Sequence, residues 1–224
     1  MKSTKMSDEV WYFEDVIDNA DEILQSVKDW KKNTNKEYMQ NGSMTTKNYL
    51  DITDDAIFKC LDVWYKNHET IDPDDHKVAK ETMIFKRGPG GGYGPHSDFA
   101  AIPDGTFDQV SATILTYLCD ENGFEGGEIF FPDYDVTIKP AKGSVVMFGH
   151  KVLHGVNDVI SGERAIASVF LIKNKTFYKQ MEAVDPKNPT PTEQKFFFSI
   201  APQYTAKDGN INKNKFIKDE DLND

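Results

Sequence analysis

The stretch Gly88–Asp98, GPGGGYGPHSD, decides how the rest of the chain is read. A glycine-rich turn delivers the triplet His96-Ser97-Asp98. On a strand, positions i and i+2 point to one face, so an imidazole and a carboxylate project side by side. A mixed pair of this kind suits a borderline metal such as Fe(II), which takes two histidines and one carboxylate on a single face. The pair is then two thirds of a ligand set, and a second histidine must come from elsewhere. Taken alone, the triplet reads equally as a capped loop aspartate beside a surface histidine. The turn is not a phosphate cradle: no Gly-Lys-Ser/Thr follows it, and it does not satisfy Gly-x-Gly-x-x-Gly. Its glycines let the backbone bend tightly beside the ligands.

With 224 residues the chain is one domain with extensions, or two small ones. It is long enough to bury a substantial core. Its net charge of −11, with no basic patch, argues against a nucleic-acid backbone as partner and leaves a small molecule or a basic peptide open. Cys60 and Cys119 show neither zinc spacing nor a disulfide framework, and read as small buried apolar residues. The start, MKSTKMSDEVWYF, has no apolar run of signal-peptide length. No stretch approaches a membrane span, so the expectation is a soluble, cytoplasmic or other intracellular protein.

Val10–Phe13 reads as a short strand, and Asp15 as the cap of a helix carrying Val16, Ala20, Ile23, Leu24, Val27 and Trp30 at helical spacing. Residues 31–50 are polar and turn-rich. A second helix starts at Thr53 or Asp54, with Ile57, Cys60, Leu61 and Trp64 on its inner face. His68 and His76 lie in acidic surroundings and read as solvated surface. From Lys77 short strand-like runs take over, at 78–87, 110–118, 128–131, 134–139, 143–148, 152–154 and 164–172. Many short strands in one region imply a sandwich, barrel or jelly roll. Pro186–Pro191 reads as a linker, FFFSI at 196–200 as one more apolar segment, and Lys207–Asp224 as a mobile end.

His150 and His154 are the candidates for the second histidine. Ten residues after His154 comes Arg164, and VNDVISGE between them has the turn chemistry of a strand connection, so His154 and Arg164 can occupy adjacent antiparallel strands. Alternation places Arg164, Ile166, Ser168 and Phe170 on one face. An arginine on an apolar face is costly unless it meets an anion. A carboxylate ligand held by its fork would satisfy it, and so would an internal salt bridge, for instance with Glu128. His150 and His154 are four residues apart, so in a straight strand both face the same way and alternation leaves the choice open.

The order His-x-Asp, a gap of 58 residues (154 − 96), His, then Arg ten residues later resembles the Fe(II)- and 2-oxoglutarate-dependent dioxygenases, in their prolyl 4-hydroxylase-like branch. The resemblance covers roughly residues 80–172. YGPHSD resembles the family's Tyr-x-x-His-x-Asp, TILTYL at 113–118 its strand ending in Tyr-Leu-Asn, and EGGEIFFP at 125–132 its Gly-Gly-Glu run. KPAKGSVVMF and LHGVNDVISGER resemble its distal-ligand segment. The resemblance implies a mainly β chain with flanking helices (α+β), built as a double-stranded β-helix, that is, a distorted jelly roll. Residues 1–76 would pack on a core at 77–173, with 174–224 as an extension. His96, Asp98 and His154 would be the iron ligands, and Arg164 would bind the far carboxylate of 2-oxoglutarate, with Tyr117, Thr113 and Ser168 lining the same pocket. Fe(II), 2-oxoglutarate and O2 would be required, with ascorbate as a further candidate. The implied reaction is hydroxylation of a prolyl residue in a peptide or protein. The alternatives are a free amino acid or other small molecule as substrate, or an inactive jelly-roll binding module. Two positions depart from the pattern. Lys86 and Arg87 stand where the family often has an aromatic hydroxyl, and Cys119 replaces the asparagine.

Overall fold

The computed structural model describes residues 1–32, 42–48, 55–68, 76–78, 81–98, 110–173 and 185. The expectations for Pro186–Pro191, 196–200 and Lys207–Asp224 fall outside these residues. In chain order the elements are β1 (Lys2–Ser7), β2 (Val10–Glu14), α1 (Ala20–Ser26), β3 (Lys31–Lys32), β4 (Gly42–Asn48), α2 (Asp55–Asn67), β5 (His76–Val78), β6 (Glu81–Arg87) and β7 (Tyr93–His96). They continue with β8 (Val110–Tyr117), β9 (Phe124–Gly126), β10 (Ile129–Phe131), a 3-10 turn (Pro132–Tyr134), β11 (Val136–Ile138), β12 (Val145–Gly149), β13 (His154–Val156), β14 (Val159–Gly162) and β15 (Arg164–Lys173). Among the described residues, no helix is long and apolar enough to cross a membrane.

The large sheet has the order β1-β2-β12-β8-β15-β6-β4-β3, with β5 also paired to β15. A four-stranded sheet runs β11-β10-β13-β7, and β9 pairs with β14 as a separate ribbon. The fold is a distorted jelly roll, mainly β, with two α-helices among the described residues. Its centre is the trio β12, β8 and β15, buried on both faces. All eight residues of β8 are buried. Odd and even positions serve different cores, as a period of two requires. Ala112, Ile114, Val145, Met147, Ala165, Ala167, Val169 and Leu171 join α1 and α2 in one cluster. Leu115, Tyr117, Val146, Phe148 and Ile166 join Ile129 and Phe131 of the small sheet in the other, where the candidate site lies.

The second helix is read correctly from its spacing. Ile57, Cys60 and Trp64 are fully buried and Leu61 nearly so, as the i, i+3, i+4, i+7 stripe dictates. Burial pushes the Cys60 thiol up to about 12, which keeps it neutral. The first helix is shorter than its periodicity suggests. The amides of Val16 and Ile17 both donate to the carbonyl of Gly143, which ties them to the loop before β12. Asp15 takes φ 53° and caps nothing, and the N-cap position falls to Asn19. Val27 is extended and ends the helix.

Other expectations also need correction. Residues 31–50 contain two strands. The polar run GSMTTKN pairs along seven positions of β6, from Gly42 opposite Arg87 to Asn48 opposite Glu81. Neither His68 nor His76 is free surface: both are half-buried and partnered. The His68 ring stacks on Trp64 at 3.8 Å and its Nδ1 meets the Trp64 carbonyl at 2.9 Å. His76 Nε2 lies 2.7 Å from Ser111 Oγ. His154 and Arg164 are not on adjacent strands. VNDVISGE forms β14, which pairs with β9, so the chain passes from the small sheet to the large one between them.

Trp64→Ala is expected to lower stability by about 3–5 kcal/mol, the usual range for emptying a fully buried aromatic site. Phe58→Ala, on the half-exposed side of the same helix, should stay within about 0.5 kcal/mol. Urea midpoints at unchanged slope provide the measurement.

Candidate metal centre

β7 and β13 are antiparallel neighbours, and His154 stands directly opposite His96. Their ring centroids are 4.3 Å apart. Each ring is fixed by a carbonyl two residues earlier: His96 Nδ1 lies 2.9 Å from Gly94 O, and His154 Nδ1 lies 3.1 Å from Val152 O. A carbonyl only accepts, so each Nδ1 carries a proton, and Nε2 is the nitrogen turned toward Asp98. Burial, followed by the neighbouring His154, holds His96 below the ordinary imidazole range, against the pull of Gly94 and Asp98. The neutral, ligating form is thereby favoured.

Asp98 lies just past the end of β7, so the turn brings it to the histidines rather than strand alternation. Asp98 Oδ1 is 3.8 Å from His96 Nε2 and 4.0 Å from His154 Nε2. Ligand atoms of the three residues all lie within 4.8 Å of one another. Two atoms bonded to one ion at about 2.1 Å can be at most about 4.2 Å apart, so both histidine–carboxylate separations fit a shared ion. Thr113 Oγ1 donates to Asp98 Oδ2, leaving Oδ1 for the imidazole side. The walls are aromatic. The Phe148 ring is 4.4 Å from the His154 ring, and Tyr93 is 3.9 Å from that of His96.

At the other end of the site, Arg164 is 1% exposed and donates through Nη2 to the Tyr117 hydroxyl at 2.8 Å. Burial raises the Tyr117 pKa more than Arg164 lowers it, so the phenol stays protonated. The salt bridge to Glu128 does not form; Glu128 instead accepts from Asn157 Nδ2 at 3.1 Å. Arg87 stands directly opposite Arg164 in the β6–β15 register, is 6% exposed, and lies over the Tyr93 ring at 5.3 Å. Lys86 points elsewhere, pairing with Glu163 at 2.8 Å and covering the Trp30 ring at 4.7 Å. Of the two residues at the family's aromatic-hydroxyl position, only Arg87 therefore turns toward the site. Among the described residues, Arg87 Nε and Nη1 and Arg164 Nε have no hydrogen-bond partner.

Ser168 is buried between Met83 and Leu115 in register. His150 is held away from the three-residue cluster, its Nδ1 and backbone amide both directed at the Ser111 carbonyl. Cys119 clasps β15, donating to the Ala165 carbonyl at 3.4 Å and accepting from its amide at 3.1 Å. Sequence reasoning missed Tyr93 as a link between the two ends. Its place three residues before His96 was the available signal.

Residues 82–172 match the family model described as the 2OG-Fe(II) oxygenase superfamily. This stretch resembles the 2OG-Fe(II) oxygenases. Over 143 residues the chain is 29% identical to a PKHD-type hydroxylase of Sphingopyxis alaskensis, covering 59% of this chain and 65% of the relative. Over 111 residues it is 31% identical to prolyl 4-hydroxylase subunit alpha-2 of Gallus gallus, covering 46% of this chain but 20% of that protein. The chain thus spans less than two thirds of either relative. Among solved structures, a viral collagen prolyl hydroxylase from Paramecium Bursaria Chlorella virus-1 superposes with a TM-score of 0.56 at 23% identity, covering 73% of this chain and 96% of that one. A Pseudomonas putida prolyl-4-hydroxylase gives a TM-score of 0.51 at 15% identity, covering 74% and 93%. These two likenesses concern the fold, a double-stranded β-helix.

Thr113→Val is expected to release Asp98 and weaken Fe(II) binding about 10- to 100-fold, the usual consequence of losing a group that orients a metal ligand. Anaerobic Fe(II) titration against the parent protein measures it, and an unchanged melting temperature would locate the effect at the site.

Proposed function

We propose that this chain is an Fe(II)- and 2-oxoglutarate-dependent hydroxylase, with His96, Asp98 and His154 as its metal ligands. The observation that carries the reading is the pairing of that three-residue cluster with a buried arginine, Arg164, on the facing sheet. When bound, the iron would supply oxygen chemistry coupled to the conversion of 2-oxoglutarate into succinate and carbon dioxide. The residues of the chain hold, orient and exclude. Two imidazoles and one carboxylate would leave open positions for a bidentate keto acid. Arg164 would hold the far carboxylate through its guanidinium fork, with the Tyr117 hydroxyl beside it. Thr113 would steady Asp98. Phe131, Phe148 and Tyr93 would keep bulk water from the ligands. Ser168 shares the Arg164 face and would line the same pocket.

A prolyl residue of a peptide or protein is the substrate class this reading favours. The support is the kinship with relatives named for prolyl hydroxylation, together with a net charge of −11, which suits basic peptides. A compartment within the cell fits the same reading.

The test is anaerobic titration with Fe(II) and 2-oxoglutarate, followed by succinate release on admission of O2 with proline-containing peptides. A charge-transfer absorption that requires both additions is expected. Its absence at saturating concentrations would overturn the reading. His154→Ala and Asp98→Ala should abolish iron binding and succinate formation, while His150→Ala retains both. Arg164→Ala should raise the 2-oxoglutarate requirement by about 3–5 kcal/mol with iron binding little changed, and Arg164→Lys should recover part.

A further inference from the structure

We infer that Arg87 is a second carboxylate-binding group, and that Arg87 and Arg164 together hold one carboxylate of a small dicarboxylate with or without a metal ion. This rests on reading the Arg164 pocket as the seat of the co-substrate's far end.

The two arginines are direct cross-strand partners, Arg164 opposite Arg87. Like charges at such positions repel. Both side chains are removed from water, at 6% and 1% exposure. Burial, followed by the charge of Arg164, lowers Arg87 to about 10, while the Tyr93 and Tyr117 phenols pull the other way. That value leaves the Arg87 guanidinium cationic at neutral pH. Three of their nitrogens, Arg87 Nε and Nη1 and Arg164 Nε, lack a partner among the described residues. Tyr117 provides a hydroxyl but no negative charge. A buried cation pair with unused donors is stabilised by an anion that accepts from both forks. Lys86 is the internal contrast: one position earlier on the same strand, it is half-exposed and already paired with Glu163.

The arrangement also selects the ligand class. The metal-binding end, across Tyr93, presents two imidazoles, the Asp98 carboxylate and carbon rings. A ligand that spans the two ends therefore needs a carboxylate at the arginine end. A keto monocarboxylate of equal length, its one carboxylate taken at the metal end, forfeits that interaction.

The experiment uses the full chain in EDTA, with 2-oxoglutarate, glutarate and 2-oxovalerate as probes, followed by calorimetry and thermal melting. In EDTA the two dicarboxylates should bind and raise the melting temperature; with Mn(II), which takes the keto-acid carboxylate, 2-oxovalerate should bind more weakly than 2-oxoglutarate. Arg87→Met should weaken 2-oxoglutarate binding by about tenfold or more, both in EDTA and with Mn(II), while Mn(II) binding alone is unchanged. Its ligand-free melting temperature should not fall, since one of two facing charges is gone. Arg87→Lys should recover part of the affinity but not all, having lost the fork. With Mn(II), binding of 2-oxovalerate as tight as 2-oxoglutarate would overturn the inference without needing any variant. So would wild-type affinity for 2-oxoglutarate in Arg87→Met. If the parent protein bound 2-oxoglutarate only when metal was present, the metal-independent site would be refuted while the hydroxylase reading stood. If it bound none even with metal, both would fall.

Discussion

Arg164 is a charge placed where a charge is expensive, and much of the molecule is arranged around holding it. It opens β15, the strand shared between β8 on one side and β6 and β5 on the other. Tyr117 reaches it from β8, and Arg87 faces it from β6. The chain crossing beside it must carry no side chain. Gly127 has φ +69°, and a Cβ there would come 3.1 Å from Arg164 Cδ and 3.0 Å from the Phe124 ring. The glycine pair in the 125–132 run is therefore explained by the arginine as much as by the turn. Gly126, also left-handed, lies so near the Asp158 carbonyl that a Cβ would fall 2.2 Å from it.

One strand serves both ends of the site. Thr113 and Tyr117 lie on the same face of β8, four residues apart, and reach Asp98 and Arg164 respectively. Four strand residues extend about 13 Å, enough to separate a metal end from an anion end. β8 is buried throughout and hydrogen-bonded on both sides, so the spacing between those two hydroxyls is rigid. Groups that must act together over such a distance are better carried on a packed strand than on loops. The same double burial explains why Ser111, Thr113 and Tyr117 each have a side-chain partner: β8 faces two apolar clusters rather than water.

Legibility in the sequence followed the physics of each element. The inner face of α2 could be read because one stripe at helical spacing faces one core. The central strands could be read because apolar β-branched runs between turn residues have few other uses. β1 and β4 could not, since KSTKMS and GSMTTKN have no apolar alternation and are strands only because a neighbour's backbone offers hydrogen bonds. His68 and His76 were misplaced for a related reason. Acidic neighbours in sequence say nothing about Trp64 one helical turn away in space or Ser111 on a distant strand.

The sequence by itself determined the chemistry on offer: an imidazole and a carboxylate two residues apart, a second imidazole, a buried-strand arginine, and glycines where the backbone must turn left-handed. These are properties of residue types and short spacings, and they survive without a fold. Only the tertiary structure decided which groups meet. It set His96 against His154 by strand register, and used Thr113 to hold Asp98. It turned Arg87 inward and Lys86 outward on the same strand. Which face of a strand is buried depends on what packs against it, and that partner can lie anywhere in the chain.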